Sequence, residues 1–150
     1  MHILLAAPRD DMELALELLA IQKAAYSREA ELVGDDRIPP LHESVDELRS
    51  ATLLWLVAYL DGTVAGAIGW TEDDTELDID RLVVAPHAHR RGVGSALVSS
   101  LIERAGTRRL VVSTGKDNTP ATSLYEQLGF VRQHDTEVLP GLIVTQFHYA

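Results

Sequence analysis

The residues best suited to chemistry are concentrated between Leu82 and Leu97. The run reads Leu82-Val83-Val84-Ala85-Pro86-His87-Ala88-His89-Arg90-Arg91-Gly92-Val93-Gly94-Ser95-Ala96-Leu97. An apolar stretch ends at a proline, a basic loop follows, and a helix start punctuated by glycines comes next. The first turn of a helix carries unpaired N–H groups and a partial positive charge. Gly92 and Gly94 would let an anion reach those amides with no Cβ in the way. Arg90 and Arg91 add charge beside them. This chemistry suits a phosphate or pyrophosphate, although close packing accounts for the same two glycines. A dinucleotide fingerprint would need a third glycine where Leu97 stands. No G-x-x-x-x-G-K-[ST] loop occurs in the chain.

Other groups could move protons. Asp78 and Asp80 alternate with Leu77 and Ile79, so both carboxylates would share one face of a strand. Either could serve as a general base, or could simply be solvated or paired with Arg81. His89, His87 and His42 are lesser candidates. His87-x-His89 has no further ligand pattern around it, so no metal is expected. The chain has no cysteine, which excludes a thiolate nucleophile and cysteine-held zinc. It has no G-x-S-x-G elbow either.

The elements that must position these groups follow from pattern. His2 to Ala7 reads as a first strand. Asp10 or Asp11 can cap a helix whose stripe is Leu14, Leu18, Ile21 and Ala25. Residues 27–43 are polar and acidic, with Gly34 and Pro39-Pro40. They read as a loop with a helical piece around Glu29 to Val33. Ser44 and Glu47 form a capping box for a short helix, Val45 to Ser50. Leu53–Leu60 and Thr63–Trp70 read as a hairpin turned by Asp61-Gly62. Strands are expected at Leu77–Val84, Leu110–Thr114, Phe130–Glu137 and Leu142–Tyr149. Helices are expected at Gly92–Ala105 and from a Thr119-Pro120 cap to Leu128, each stopped by glycine. The order describes an α/β domain with one central sheet and helices packed on it. Trp55 and Trp70 fall in the central hairpin and read as core or dimer-contact residues.

A chain of 150 residues with this composition reads as one soluble domain, 1–150. The net charge of −10 argues against nucleic acid as a partner. No apolar run approaches the roughly 20 residues of a membrane span, so a cytoplasmic protein with no membrane partner is expected. The charge is asymmetric. Residues 1–80 hold 18 acids and 5 bases, and residues 81–150 hold 5 acids and 8 bases. Glu29, Glu31, Asp35, Asp36 and Glu43 could attract a cationic substrate, or could merely solubilise the loop.

With those residues assembled, the stretch from Val84 to Leu97 resembles the acetyl-CoA motif R/Q-x-x-G-x-G/A of the GCN5-related N-acetyltransferase (GNAT) superfamily. His89 occupies the usual R/Q position, a departure that bears on the contact made there. Asn118-Thr119-Pro120-Ala121-Thr122-Ser123-Leu124-Tyr125-Glu126-Gln127-Leu128-Gly129-Phe130 is similar to the family's N-x-x-A-x-x-L-Y-x-x-x-G-F segment, with every marked position filled. The resemblance implies a mostly antiparallel, mixed sheet of about seven strands with about four helices. It also implies that the sheet splays between its fourth and fifth strands. Residues 1–80 would form mainly the acceptor side and 81–130 mainly the acetyl-CoA side.

By the same resemblance, Leu82, Val83 and Val84 would bind the acetyl and pantetheine arm like an added strand. His89, Arg90, Arg91, Gly92, Val93, Gly94 and Ser95 would hold the pyrophosphate. Asn118 and Ala121 would lie on the pantetheine side, and Tyr125 would face the sulfur as general acid. The implied reaction is acetyl transfer from acetyl-CoA, without a metal, to a primary amine of a small molecule or peptide. Attack is direct, and no covalent enzyme intermediate forms. The alternatives are a non-catalytic CoA-binding sensor or partner module, and an acyltransferase with another acyl-CoA or a hydroxyl acceptor. A homodimer through the last strand is left open.

Overall fold

Binary patterning accounts for most of the architecture. In the computed structural model, which describes residues 1–150, the elements follow in order. They are β1 (His2–Ala6), α1 (Met12–Val33), α2 (Val45–Ser50), β2 (Leu54–Leu60), β3 (Thr63–Glu72), β4 (Glu76–Val84), α3 (Val93–Ala105), β5 (Arg109–Gly115), α4 (Thr119–Gln127), β6 (Val131–Leu139) and β7 (Leu142–Tyr149). Short 3-10 turns precede α1, α2 and α3. The strands form one seven-stranded sheet in the order β1-β2-β3-β4-β5-β7-β6. Every neighbouring pair is antiparallel except β4 and β5. This is the expected mixed sheet with four helices. No helix is long and apolar enough to cross a membrane.

The sheet separates two cores. On one face, α3 and α4 enclose a cluster of 18 buried residues that includes Ile68, Trp70, Leu97, Leu101, Tyr125 and Phe147. On the other, α1 and α2 enclose 10 more, including Leu14, Leu18, Tyr26, Leu48, Trp55 and Val83. Both tryptophans are therefore core residues.

One expectation changes substantially. Residues 27–33 are not loop: α1 runs unbroken to Val33 and ends at Gly34, whose φ is 70° and whose N–H donates to the Ala30 carbonyl. No glycine or proline interrupts Met12–Val33, so nothing stops the helix earlier. A smaller change concerns α4, which is capped by Asn118 rather than Thr119.

The decisive irregularity lies in β4. Gly69 on β3 pairs with Arg81, but its neighbour Trp70 pairs with Ile79, so Asp80 is an extra residue. Such a bulge reverses which residues face which side. Leu77 and Ile79 belong to the α3 side; beyond the bulge Leu82 and Val84 do, while Val83 faces α1. Simple alternation through the strand therefore ends at Ile79. The parallel ladder to β5 stops there too, running only from Glu76–Arg109 to Ile79–Val112. Beyond it, β4 and β5 part and leave a gap in the middle of the sheet.

Candidate active site

The gap is bordered by three surfaces. The first is the start of α3. Gly92 is its N-cap with φ of 75°, a left-handed conformation that favours glycine, and no side chain caps the helix. The other three helices are capped by side chains: Asp11 on α1, Ser44 with Glu47 on α2, and Asn118 on α4. The first-turn amides of α3 are thus left open. His89, Arg90 and Arg91 all stand exposed beside them. Arg90 has a φ of 63°, unusual for a residue with a side chain.

Gly94 also packs closely. A Cβ there would sit 3.4 Å from Leu124 Cδ2 and 3.8 Å from Val84 Cγ2. It therefore sits where α3 packs against β4 and α4, whereas a Cβ at Gly92 would meet nothing. Next to this helix start, Leu82 and Val84 pair with β3 on one side and have no strand partner on the other. That unpaired edge of β4 is where an extended ligand could add.

The second surface is α4. Asn118 accepts from the Ala121 amide at 3.3 Å, and its Nδ2 donates to Thr114 Oγ1 at 3.5 Å. Ala121 packs at the margin of the core. Tyr125 is buried, edge-on to Phe130 at 5.2 Å between ring centres. Burial and then the nearby Glu29 carboxylate push its phenol well above the usual tyrosine range. The hydroxyl therefore holds its proton throughout the ordinary pH range.

The third surface is α1, where Glu29, named above among the acids of a loop, stands on a helix face with Gln22 and Tyr26, which the sequence does not single out. Gln22, Tyr26, Glu29 and Val33 recur at i, i+4, i+7 and i+11, continuing one face of the helix. Glu29 Oε1 lies 3.5 Å from the Thr114 hydroxyl on β5. Gly115 permits this approach, because a Cβ on it would meet Val33 Cγ1 at 2.7 Å. Tyr26 is buried, and burial and then Glu29 raise its phenol, with smaller upward contributions from Asp80 and Tyr125 and a downward one from Arg81. Tyr26 belongs to the α1 core and Tyr125 to the α4 core. The Glu29 carboxylate thus raises phenols that belong to opposite faces of the sheet.

Arg81 fastens this wall. It is 7% exposed and lies over the Trp55 ring at 5.7 Å. Its Nη1 donates to Glu43 Oε1 at 2.7 Å and Gln22 Oε1 at 3.0 Å, and its Nε to Asp80 Oδ2 at 2.7 Å. Burial alone would lower the guanidinium pKa, but Glu43 and Asp80 outweigh it and hold it above the ordinary value. Gln22 Nε2 donates to the Pro40 carbonyl at 2.8 Å and to Glu43 at 3.0 Å. Residues 40–43 are thereby tied to α1 and β4.

The acids sort themselves by partner. Asp80 and Glu43 share Arg81. Asp35 pairs with Arg37 at 2.7 Å. Asp78 stands exposed opposite Val111, in the segment still closed by β5. Partial burial, then Glu76 and Asp80, raise its carboxyl pKa. Glu31 and Asp36 are exposed, as are His87 and His42, the last sharing a hydrogen bond with the Asp36 carbonyl. The signal for the third surface was present: polar residues continue a core stripe where leucine or valine would pack as well.

Comparison with known proteins agrees with this geometry. The family model for GNAT acetyltransferases matches residues 16–130. The UPF0157 protein YqkA of Bacillus subtilis (strain 168) is 35% identical over 136 residues, covering 90% of this chain and 40% of that protein. N-acetylaspartate synthetase of Danio rerio is 36% identical over 93 residues, covering 57% of this chain and 33% of that one. The chain thus spans less than half the length of either relative. PaiA N-acetyltransferase of Thermoplasma acidophilum, solved with coenzyme A, superposes with a TM-score of 0.73 at 17% identity, covering 99% of this chain and 100% of that one. At that identity the likeness speaks to the fold alone. From the family match and the sheet that parts between β4 and β5, the chain belongs to the GNAT acetyltransferase family.

Proposed function

We propose that the protein is an acetyl-CoA-dependent N-acetyltransferase acting on a primary amine. The observation that carries the reading is the gap between β4 and β5, flanked by an uncapped helix start and a protonated, buried tyrosine. Acetyl-CoA, when bound, supplies the activated acyl group. The open amides from Gly92 to Ser95, with His89, Arg90 and Arg91, would hold its pyrophosphate. The free edge of Leu82, Val83 and Val84 would receive the pantetheine arm. Asn118 and Ala121 would line its far side, and a β4 amide near Val84 would polarise the acyl carbonyl.

An amine must arrive at the carbonyl with its lone pair free. The new C–N bond forms, the C–S bond breaks, and the Tyr125 hydroxyl gives its proton to sulfur. The proton shed by the new amide nitrogen then restores the phenol through the cleft. Asp78 and Asp80 border the acceptor side, Asp80 with Arg81 as a competing partner. No covalent enzyme intermediate is needed.

The test is thiol release from acetyl-CoA over a panel of primary amines. Tyr125→Phe should lower kcat by about 10²- to 10⁴-fold and leave coenzyme A affinity within about twofold, since its hydroxyl accounts for no hydrogen bond in the phosphate site. Unchanged turnover removes Tyr125 from the mechanism. Coenzyme A binding with no turnover on any amine makes the protein a sensor instead.

A further inference from the structure

The gap contains a carboxylate with no cation. Arg81 satisfies Asp80 and Glu43, at 2.7 Å each. Glu29, by contrast, is met only by the Thr114 hydroxyl, at a long 3.5 Å. It comes from α1, through the parting of the strands, to a β5 residue whose hydroxyl also accepts from Asn118 on the opposite side of the sheet. Its negative charge raises the phenols of both Tyr26, from the α1 side of the sheet, and Tyr125, from the α4 side. A half-buried carboxylate with no cation paired to it favours one from outside.

Resting on the acetyltransferase reading above, we infer that Glu29 is the acceptor-binding group, pairing with the ammonium of an alkylamine substrate and taking its proton. R–NH3+ gives one proton to the Glu29 carboxylate, which later passes it to water. R–NH2 keeps the lone pair that forms the C–N bond. Tyr125 remains the separate proton donor to sulfur, so the two groups act on opposite sides of the transferred acyl carbon. Asp78 is less suited, because it lies where β5 still covers the β4 edge. The substrate class that follows is an aliphatic amine arriving as a cation, rather than an uncharged aromatic amine.

Glu29→Gln separates binding charge from shape, since it keeps the size of the side chain. With an alkylamine, kcat/KM should fall roughly 100-fold, through KM and kcat together. With an aromatic amine that arrives uncharged it should change less than about threefold. Glu29→Asp should recover part of the alkylamine activity, and coenzyme A affinity should match the wild type in both variants. Equal losses on both amine classes would make Glu29 a structural residue and overturn the inference while leaving the acetyltransferase reading intact. If the wild type releases no thiol with any amine, that reading fails first and the inference fails with it.

Discussion

The two ends of β4 treat charge in opposite ways. At the closed end, Glu72 on β3 is surrounded by donors: Arg104 Nε at 2.8 Å, Arg108 Nη1 at 3.0 Å and Trp70 Nε1 at 2.8 Å. The Arg104 guanidinium also lies 5.3 Å over the Trp70 ring. One carboxylate there meets two cations. At the open end one cation, Arg81, serves two carboxylates, and Glu29 has none. A saturated cluster has no reason to attract anything further and serves as a clamp on the sheet. An end with surplus negative charge is stable only while water or a ligand reaches it. The same residue types thus do structural work at one end and leave binding capacity at the other.

The sharpest way to break this contrast is to remove the lone cation of the open end. Arg81→Met leaves the mostly buried Glu43 with Gln22 as its one remaining donor, while Asp80 faces solvent, and should cost about 3 kcal/mol. In a chain of this size each kcal/mol moves the thermal midpoint by roughly 2–4 °C. The Arg81→Met, Glu43→Leu double variant should lose less than the single one. A double variant that loses the sum of the two single losses would show that the residues are independent and that Arg81 fastens nothing.

The closed end should respond to pH. Glu72 is held at about 2, first by the Arg104 hydrogen bond, then by Trp70, and also by Arg108. In the unfolded chain a glutamate titrates near 4.3, at roughly its ordinary value. A carboxyl whose folded pKa is depressed contributes stability that is fully present above the unfolded value. That contribution is lost as pH falls through about 4.3 towards 2. Solvent screens part of the interaction, so Glu72→Gln should cost about 1–2 kcal/mol at neutral pH. Its unfolding midpoint should also fall less steeply than the wild type's over that acid window. Parallel acid profiles for the two proteins would assign the clamp elsewhere.

The smallest effect belongs to the exposed loop before α3. Arg90→Ala or Arg91→Ala should weaken coenzyme A binding about twofold to fivefold, with less loss at high salt and no shift in thermal midpoint. Salt-independent weakening would point to packing rather than charge.

Much of this was legible along the chain. The Ser44–Glu47 capping box, the Asp61-Gly62 hairpin and the β7 bounds Leu142–Tyr149 appear as expected, because each depends on neighbours a few residues away. The continuity of α1 through to Val33 is not legible along the chain, because acidic residues suggest a loop. Polarity, however, reports exposure, while a helix is stopped by backbone chemistry, here Gly34. The surroundings of Gly94 are hidden for a related reason. Its spacing from Gly92 is a local fact, whereas the Leu124 side chain it packs against lies on another helix.

What the residues alone determined was the set of elements, the pair of motifs from Val84 to Leu97 and from Asn118 to Phe130, and through them the family. Local periodicity and turn chemistry suffice for these. Only the tertiary structure decided that the β4 bulge falls at Asp80, that the β4–β5 ladder stops at Ile79–Val112, and that Arg81 claims Asp80 and Glu43. It also decided that Glu29 reaches β5 without a counterion. Those outcomes depend on which distant groups compete for one another's charge, and sequence spacing carries no record of that competition.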